Sequence, residues 1–225
     1  MSIDVVMRVI IWAVPVLFSV ILHEVSHGWV AYKLGDDTAK RMGRLTLNPI
    51  PHIDILGTVI LPLIMIIAGG PVFGWAKPVP YNPHNFDRHI NPKDGAMWVA
   101  LAGPVLNLIL AFISSFILVL TAKWFSGLPS VFYYSLIQLF KALVIINIVL
   151  ACFNLIPIPP LDGSKVLMRF LPSKYESYYV MMERYGFLVI IILLATGAFS
   201  TLIWVPVNFL YNYFTVIPTT LFNLL

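Results

Sequence analysis

The chain is laid out as long apolar runs joined by short polar and basic connections. The uninterrupted runs are residues 5–34, 96–122, 142–156 with their flanks, and 186–205. As helices, these are read as able to cross about 30 Å of hydrocarbon. Two further apolar segments are shorter or interrupted. Residues 53–68 carry no charge after Asp54 but contain Pro62, and basic connections lie on both sides. A single crossing would separate those connections, so a re-entrant or one-leaflet segment is expected. Residues 206–225 are uncharged and aromatic, with Pro206 and Pro218 bracketing a segment expected to lie in the interface. Residues 69–80 are rich in Gly and Pro with alternating larger side chains, which suits a short β-hairpin. The pattern predicts an all-α polytopic membrane protein with about four to six transmembrane helices, a re-entrant or interfacial segment and one short hairpin. A single domain over 1–225 is expected, with a core over 5–171 and a C-terminal helical region over 186–225.

Composition narrows the class. The chain is 60% hydrophobic and 11% charged with a mean hydropathy of +0.90, which places it in lipid. The first apolar run has neither a basic leader nor a small-residue cleavage site, so it reads as a retained span. The single cysteine, Cys152, excludes an internal disulfide and reads as packing. The net charge of +4 does not point to nucleic acid, because the basic residues are scattered and form no aromatic-basic face. They bear instead on topology. Eleven of the 14 Lys and Arg fall in three connections: Lys33, Lys40, Arg41 and Arg44; Lys77, Arg88 and Lys93; Lys165, Arg169, Lys174 and Arg184. Positive residues collect on the cytoplasmic side, so the N-terminus is expected outside and the first span enters from there.

Inside the first run stands His23-Glu24-Val25-Ser26-His27. Positions i and i+4 share a helix face, so His23 and His27 can offer two imidazoles to one Zn2+ with Glu24 beside the open coordination position. Ionisable groups at membrane depth are costly and read as functional. The plain alternative is a chance pattern at a helix end. On the same expected side, Asn154-Leu-Ile-Pro157-Ile-Pro159-Pro160-Leu-Asp162-Gly163 carries three prolines that unwind the chain at membrane depth. Asp162 either completes a His, His, carboxylate set with water in the fourth position or caps a helix over 163–171.

These residues together resemble the site-2 proteases, membrane-embedded zinc metalloproteases that cut transmembrane substrates. The resemblance rests on three ordered motifs: the His23 to His27 pattern, Ala102-Gly103-Pro104-Val105-Leu106-Asn107, and the Asn154 to Gly163 stretch. It spans 23–163 and suggests a minimal form without PDZ or CBS modules. It implies one Zn2+ per chain held by His23, His27 and Asp162, with Glu24 as general base. Asn154 then helps hold the peptide carbonyl or its oxyanion. Capping an unwound helix is the other reading of Asn154. Asn107 reads as an interhelical hydrogen bond, with Gly103 and Pro104 as close helix packing.

Other polar clusters are weaker candidates. His52 and Asp54 suit a supporting or loop-anchoring role more than direct ligation. His84 and His89 lie among polar residues and are expected to be solvated. Residues 73–79 are a candidate edge on which an unwound substrate could pair, or else an interfacial loop anchored by Trp75 and Lys77. The expected partners are the bilayer and transmembrane protein substrates. The alternative function is a metal-binding membrane protein without proteolysis, either a transporter or an inactive adaptor. Glu24 argues against it, since neither needs a general base beside the metal.

Overall fold

The computed structural model describes residues 3–67 and 74–224. It is helical throughout, with no strand among the described residues. The helices are α1 (Ile3–Lys33), α2 (Thr38–Arg41), α3 (Leu61–Ile67), α4 (Pro92–Trp124), α5 (Ser130–Asn154), α6 (Asp162–Phe170), α7 (Glu176–Ala195) and α8 (Ala198–Leu224). Among the described residues, three stretches are long and apolar enough to cross a membrane: Ile10–Lys33, Pro92–Trp124 and Ser130–Asn154.

Two expectations change. The run 186–205 is not one helix, because α7 ends at Ala195 and α8 starts at Ala198. Between them Gly197 takes φ +72°, a left-handed residue that ends a helix and starts a new direction. The expected interfacial tail is helical as far as Leu224, as part of α8, with Pro206 and Pro218 inside the helix; Leu225 lies outside the described residues. Each proline removes one backbone donor, a loss a helix in lipid tolerates when neighbouring groups compensate. The short β-hairpin is not found. Residues 69–73 of it lie outside the described residues, and 74–80 form no ladder. Pro78 and Pro80 have no N–H to give, and the backbone of Trp75, Lys77 and Val79 is bonded to turns and side chains instead.

Residues 53–68 enter as a π-helical turn, Ile55–Ile60, continuing into α3; Ala68 lies outside the described residues. Asp54 caps the turn by accepting from the Gly57 amide at 2.7 Å, and its own amide donates to Thr58 Oγ1 at 3.0 Å. Pro62 cannot donate to the residue four before it, which suits a wider turn just upstream.

The chain divides into two compact units, 20–103 and 1–19 with 104–225. In the larger unit Ala111, Val144, Ile148, Ile190, Ile203 and Val207 form the centre of an apolar core drawn from α4, α5, α7 and α8. A polar ladder crosses it. Asn107 Nδ2 donates to Asn147 Oδ1 at 2.7 Å, and Asn147 Nδ2 donates to Ser19 Oγ at 2.8 Å and to the Leu143 carbonyl at 2.8 Å. All three side chains are fully buried. The smaller unit packs Phe86 and Val99 against Ala31 in the last turn of α1. Asp36 ties that region. Its carboxylate accepts from the Thr38 amide and hydroxyl, the Asn82 amide at 2.7 Å and Asn85 Nδ2 at 2.9 Å. Burial alone would raise the Asp36 carboxyl, but these donors outweigh it and hold it below the usual carboxylate value.

Candidate active site

Along α1, Ser19, His23 and His27 recur every fourth residue and so share one face. His23 and His27 are buried, with their rings edge to face at a centroid distance of 4.6 Å. Their Nε2 atoms lie 3.0 Å apart. Two nitrogens bound tetrahedrally to one zinc are separated by about 3.3 Å, so the pair is close to ligating geometry. His27 Nδ1 lies 2.6 Å from the Val99 carbonyl. A carbonyl only accepts, so Nδ1 carries the proton and Nε2 keeps its lone pair for a metal.

The back of this pair is formed by α4. A Cβ on Gly103 would overlap His23 Cε1 and lie 2.6 Å from Nε2 of both histidines. Only glycine lets α4 approach so closely. The next residue, Pro104, has no N–H for the Ala100 carbonyl, which loosens the helix ladder beside the site. The cradle is shaped for the two Nε2 atoms and whatever they hold, and the donor set fits Zn2+.

Glu24 is half-buried, and one of its oxygens, Oε2, accepts from the Val79 amide at 2.9 Å. The segment carrying Val79 is fixed at three alternate residues. The Trp75 amide donates to the Gly57 carbonyl at 3.2 Å and the Trp75 carbonyl accepts from Thr58 Oγ1 at 2.8 Å. The Lys77 amide donates to the His52 carbonyl at 2.9 Å, and the Lys77 carbonyl accepts from Arg44 at 2.6 Å.

Asp162 and Asn154 belong to the larger unit, at the two ends of the proline-rich loop 155–161. Asp162 is buried in the first turn of α6, and Leu161 occupies the N-cap, so Asp162 is not the capping residue. Lys165 Nζ stands 3.8 Å from its Oδ1. Asn154 ends α5 and donates one Nδ2 hydrogen to the Leu150 carbonyl at 3.0 Å.

The remaining candidates separate by burial. His52 is buried and bonds the Thr46 carbonyl through Nε2 at 2.9 Å, a loop anchor, and Asp54 caps its turn. His84 and His89 are exposed. Cys152 packs against the apolar core. Asn107 makes the interhelical bond described above. Sequence reasoning missed Val99, Ser19, Asn147 and the buried role of Arg44. Ser19 one turn before His23 and Asn147 two turns before Asn154 were the available signals.

Comparison with known proteins gives a consistent picture. The model of peptidase family M50 matches residues 11–135 and 129–196. The chain is 41% identical over 195 residues to the protein named "Putative zinc metalloprotease YwhC" of Bacillus subtilis, covering 87% of this chain and 84% of that one. It is 30% identical to "Putative zinc metalloprotease Rip2" of Mycolicibacterium smegmatis, covering 82% of this chain and 66% of that one. It is 26% identical to "Zinc metalloprotease MJ0392" of Methanocaldococcus jannaschii, covering 74% and 37% respectively. No solved structure matches.

Proposed function

Because the chain belongs to peptidase family M50, the site-2 proteases, we propose that it is a membrane-embedded zinc metalloendopeptidase that hydrolyses peptide bonds within transmembrane segments of other proteins. The chain is a multi-pass membrane protein. The observation that carries the reading is the converging Nε2 pair of His23 and His27, beside a Glu24 carboxylate with one oxygen tied down, on a helix apolar enough to span.

In this reading His23, His27 and Asp162 hold one Zn2+. When bound, the ion lowers the pKa of water towards neutrality and polarises a carbonyl. Each protein group has its own task. The Val99 carbonyl keeps His27 in the tautomer that ligates. Glu24 has Oε2 engaged by Val79, so Oε1 is the oxygen that takes the proton from the attacking water and returns it to the leaving amine. Asn154 spends one amide hydrogen on its own helix, which leaves the second for the substrate's carbonyl oxygen, where negative charge develops.

A transmembrane helix must unwind before its backbone can be cut. Trp75, Lys77 and Val79 use their backbone groups inward, which supports the other edge of 74–80, with the Ala76 amide and carbonyl, as the place where an unwound substrate pairs. Sidedness follows from the eleven clustered basic residues, which favour an N-terminus outside and a site towards the cytoplasmic face.

The test is cleavage of labelled transmembrane peptides by the detergent-purified protein, with Glu24→Gln alongside and zinc measured on both. Cleavage by the native chain alone, with about one zinc on each, supports the protease. Zinc on both with no cleavage of any peptide favours a metal-binding adaptor, and no zinc on either sinks the proposal.

A further inference from the structure

The general base is not held by its own helix. Glu24 projects from α1, and its Oε2 is fixed by the backbone amide of Val79, 55 residues away in sequence. Val79 is also seated one turn further along α1. A Cβ on Gly28 would lie 2.7 Å from Val79 Cγ1 and 2.7 Å from Leu45 Cδ2. Glu24 and Gly28 are i and i+4, so one residue of the 74–80 segment rests on two consecutive turns of the same helix face. Glycine inside a helix costs about 1 kcal/mol relative to alanine. Here that residue leaves the room Val79 needs.

The segment is braced two residues earlier. Arg44 is buried, and its guanidinium donates to the Lys77 carbonyl at 2.6 Å, while the Lys77 amide donates to the His52 carbonyl at 2.9 Å. Trp75 is fixed in the same way at both its backbone groups. The alternation 75, 77, 79 is the two-residue period of an extended chain, so groups on one side are bonded in series and the last amide in the series falls on Glu24. A buried guanidinium is costly, and a backbone carbonyl is a neutral acceptor for it. Placing it there is justified if the position of that carbonyl matters.

We infer that residues 74–80 are the positioning device for the general base, with Val79 holding the Glu24 carboxylate and Arg44 and Gly28 as positioning residues that act through Val79. The inference rests on the protease reading for the role of Glu24. It adds to that reading the residues that hold the carboxylate in place, and it makes rate sensitive to residues that touch neither metal nor substrate.

The experiment replaces Val79 with its α-hydroxy acid in the full chain, which deletes the N–H and keeps the side chain. Gly28→Ala, Arg44→Met and Arg44→Lys accompany it. The readouts are kcat and KM on a transmembrane peptide, zinc content, and the infrared carboxylate band of 13C-labelled Glu24, isolated by subtraction of Glu24→Gln. The ester is expected to lower kcat about tenfold with KM within about twofold and zinc retained, and to shift the Glu24 band. Gly28→Ala and Arg44→Met follow in the same direction, and Arg44→Lys recovers part of the loss. In a Glu24→Asp background, whose shorter side chain has already left the amide, the ester costs nothing further. An unchanged kcat and band in the ester, or an equal loss in both backgrounds, overturns the inference. If the native chain cuts no peptide the protease reading fails instead, and the band alone then decides whether Val79 holds Glu24.

Discussion

Gly103 of α4 lies against the imidazole of His23 so closely that a Cβ there would be 2.6 Å from His23 Nε2 and overlap Cε1. In an ordinary helix, Gly→Ala stabilises by about 1 kcal/mol. At this position we expect the helix to gain and the metal site to lose. Gly103→Ala should keep its helical content and weaken zinc about 10–100-fold, the usual scale for disturbing groups behind a ligand. Chelator competition with circular dichroism on the same sample checks it.

Zinc should stabilise the fold as well as support turnover. Metal that binds the native state and not the unfolded one contributes about 2.7 kcal/mol at a free concentration 100-fold above its dissociation constant. Thermal unfolding of the metal-stripped protein should therefore rise when Zn2+ is returned. His23→Ala, which removes the nitrogen 3.0 Å from His27 Nε2, should show little of that rise.

Asn147 links three helices through one side chain. Asn147→Leu removes an acceptor from Asn107 and a donor from Ser19 and should cost about 1–2 kcal/mol. The double change Asn107→Leu with Asn147→Leu should cost less than the sum of the single changes, because both act on one bond. Unfolding in mixed micelles measures both.

Asp36 makes stability depend on acid. Its folded carboxyl titrates below the unfolded one. Its contribution is therefore complete above the unfolded value of about 3.9 and is lost as pH falls through the lower folded value. Asp36→Asn sets an amide donor against donors from Asn82, Asn85 or Thr38. It should cost about 3 kcal/mol at pH 7, and the two unfolding curves should converge in strong acid. Melting temperatures across that range would reveal the convergence or its absence.

The parts legible in the sequence are those that a local period encodes. His23 and His27 share a face because four residues make about one turn, and the prolines at 157, 159 and 160 end α5 and open a loop before Asp162. The break at Gly197 was not legible, because hydropathy is uniform through it and a lone glycine is common in apolar helices. Pro206 and Pro218 read as boundaries, yet α8 absorbs them. Arg44 counted only as a positive charge for orientation, whereas the fold buries it as a backbone donor. The bond from Val79 to Glu24 joins residues 55 apart, and no spacing rule reaches that far.

The ladder of Ser19, Asn107 and Asn147 also fixes an azimuth. Helices surrounded by lipid gain little by turning one apolar face rather than another inward, so hydrophobicity leaves their rotation weakly specified. In α5 one rung, Asn147, stands seven residues, close to two whole turns, before the candidate site residue Asn154. Setting the angle of the rung sets the compass bearing of the site residue. Inserting one residue between Asn147 and Asn154 would leave the ladder intact and swing the Asn154 amide by about 100°, a rotation that no side-chain rotamer can undo.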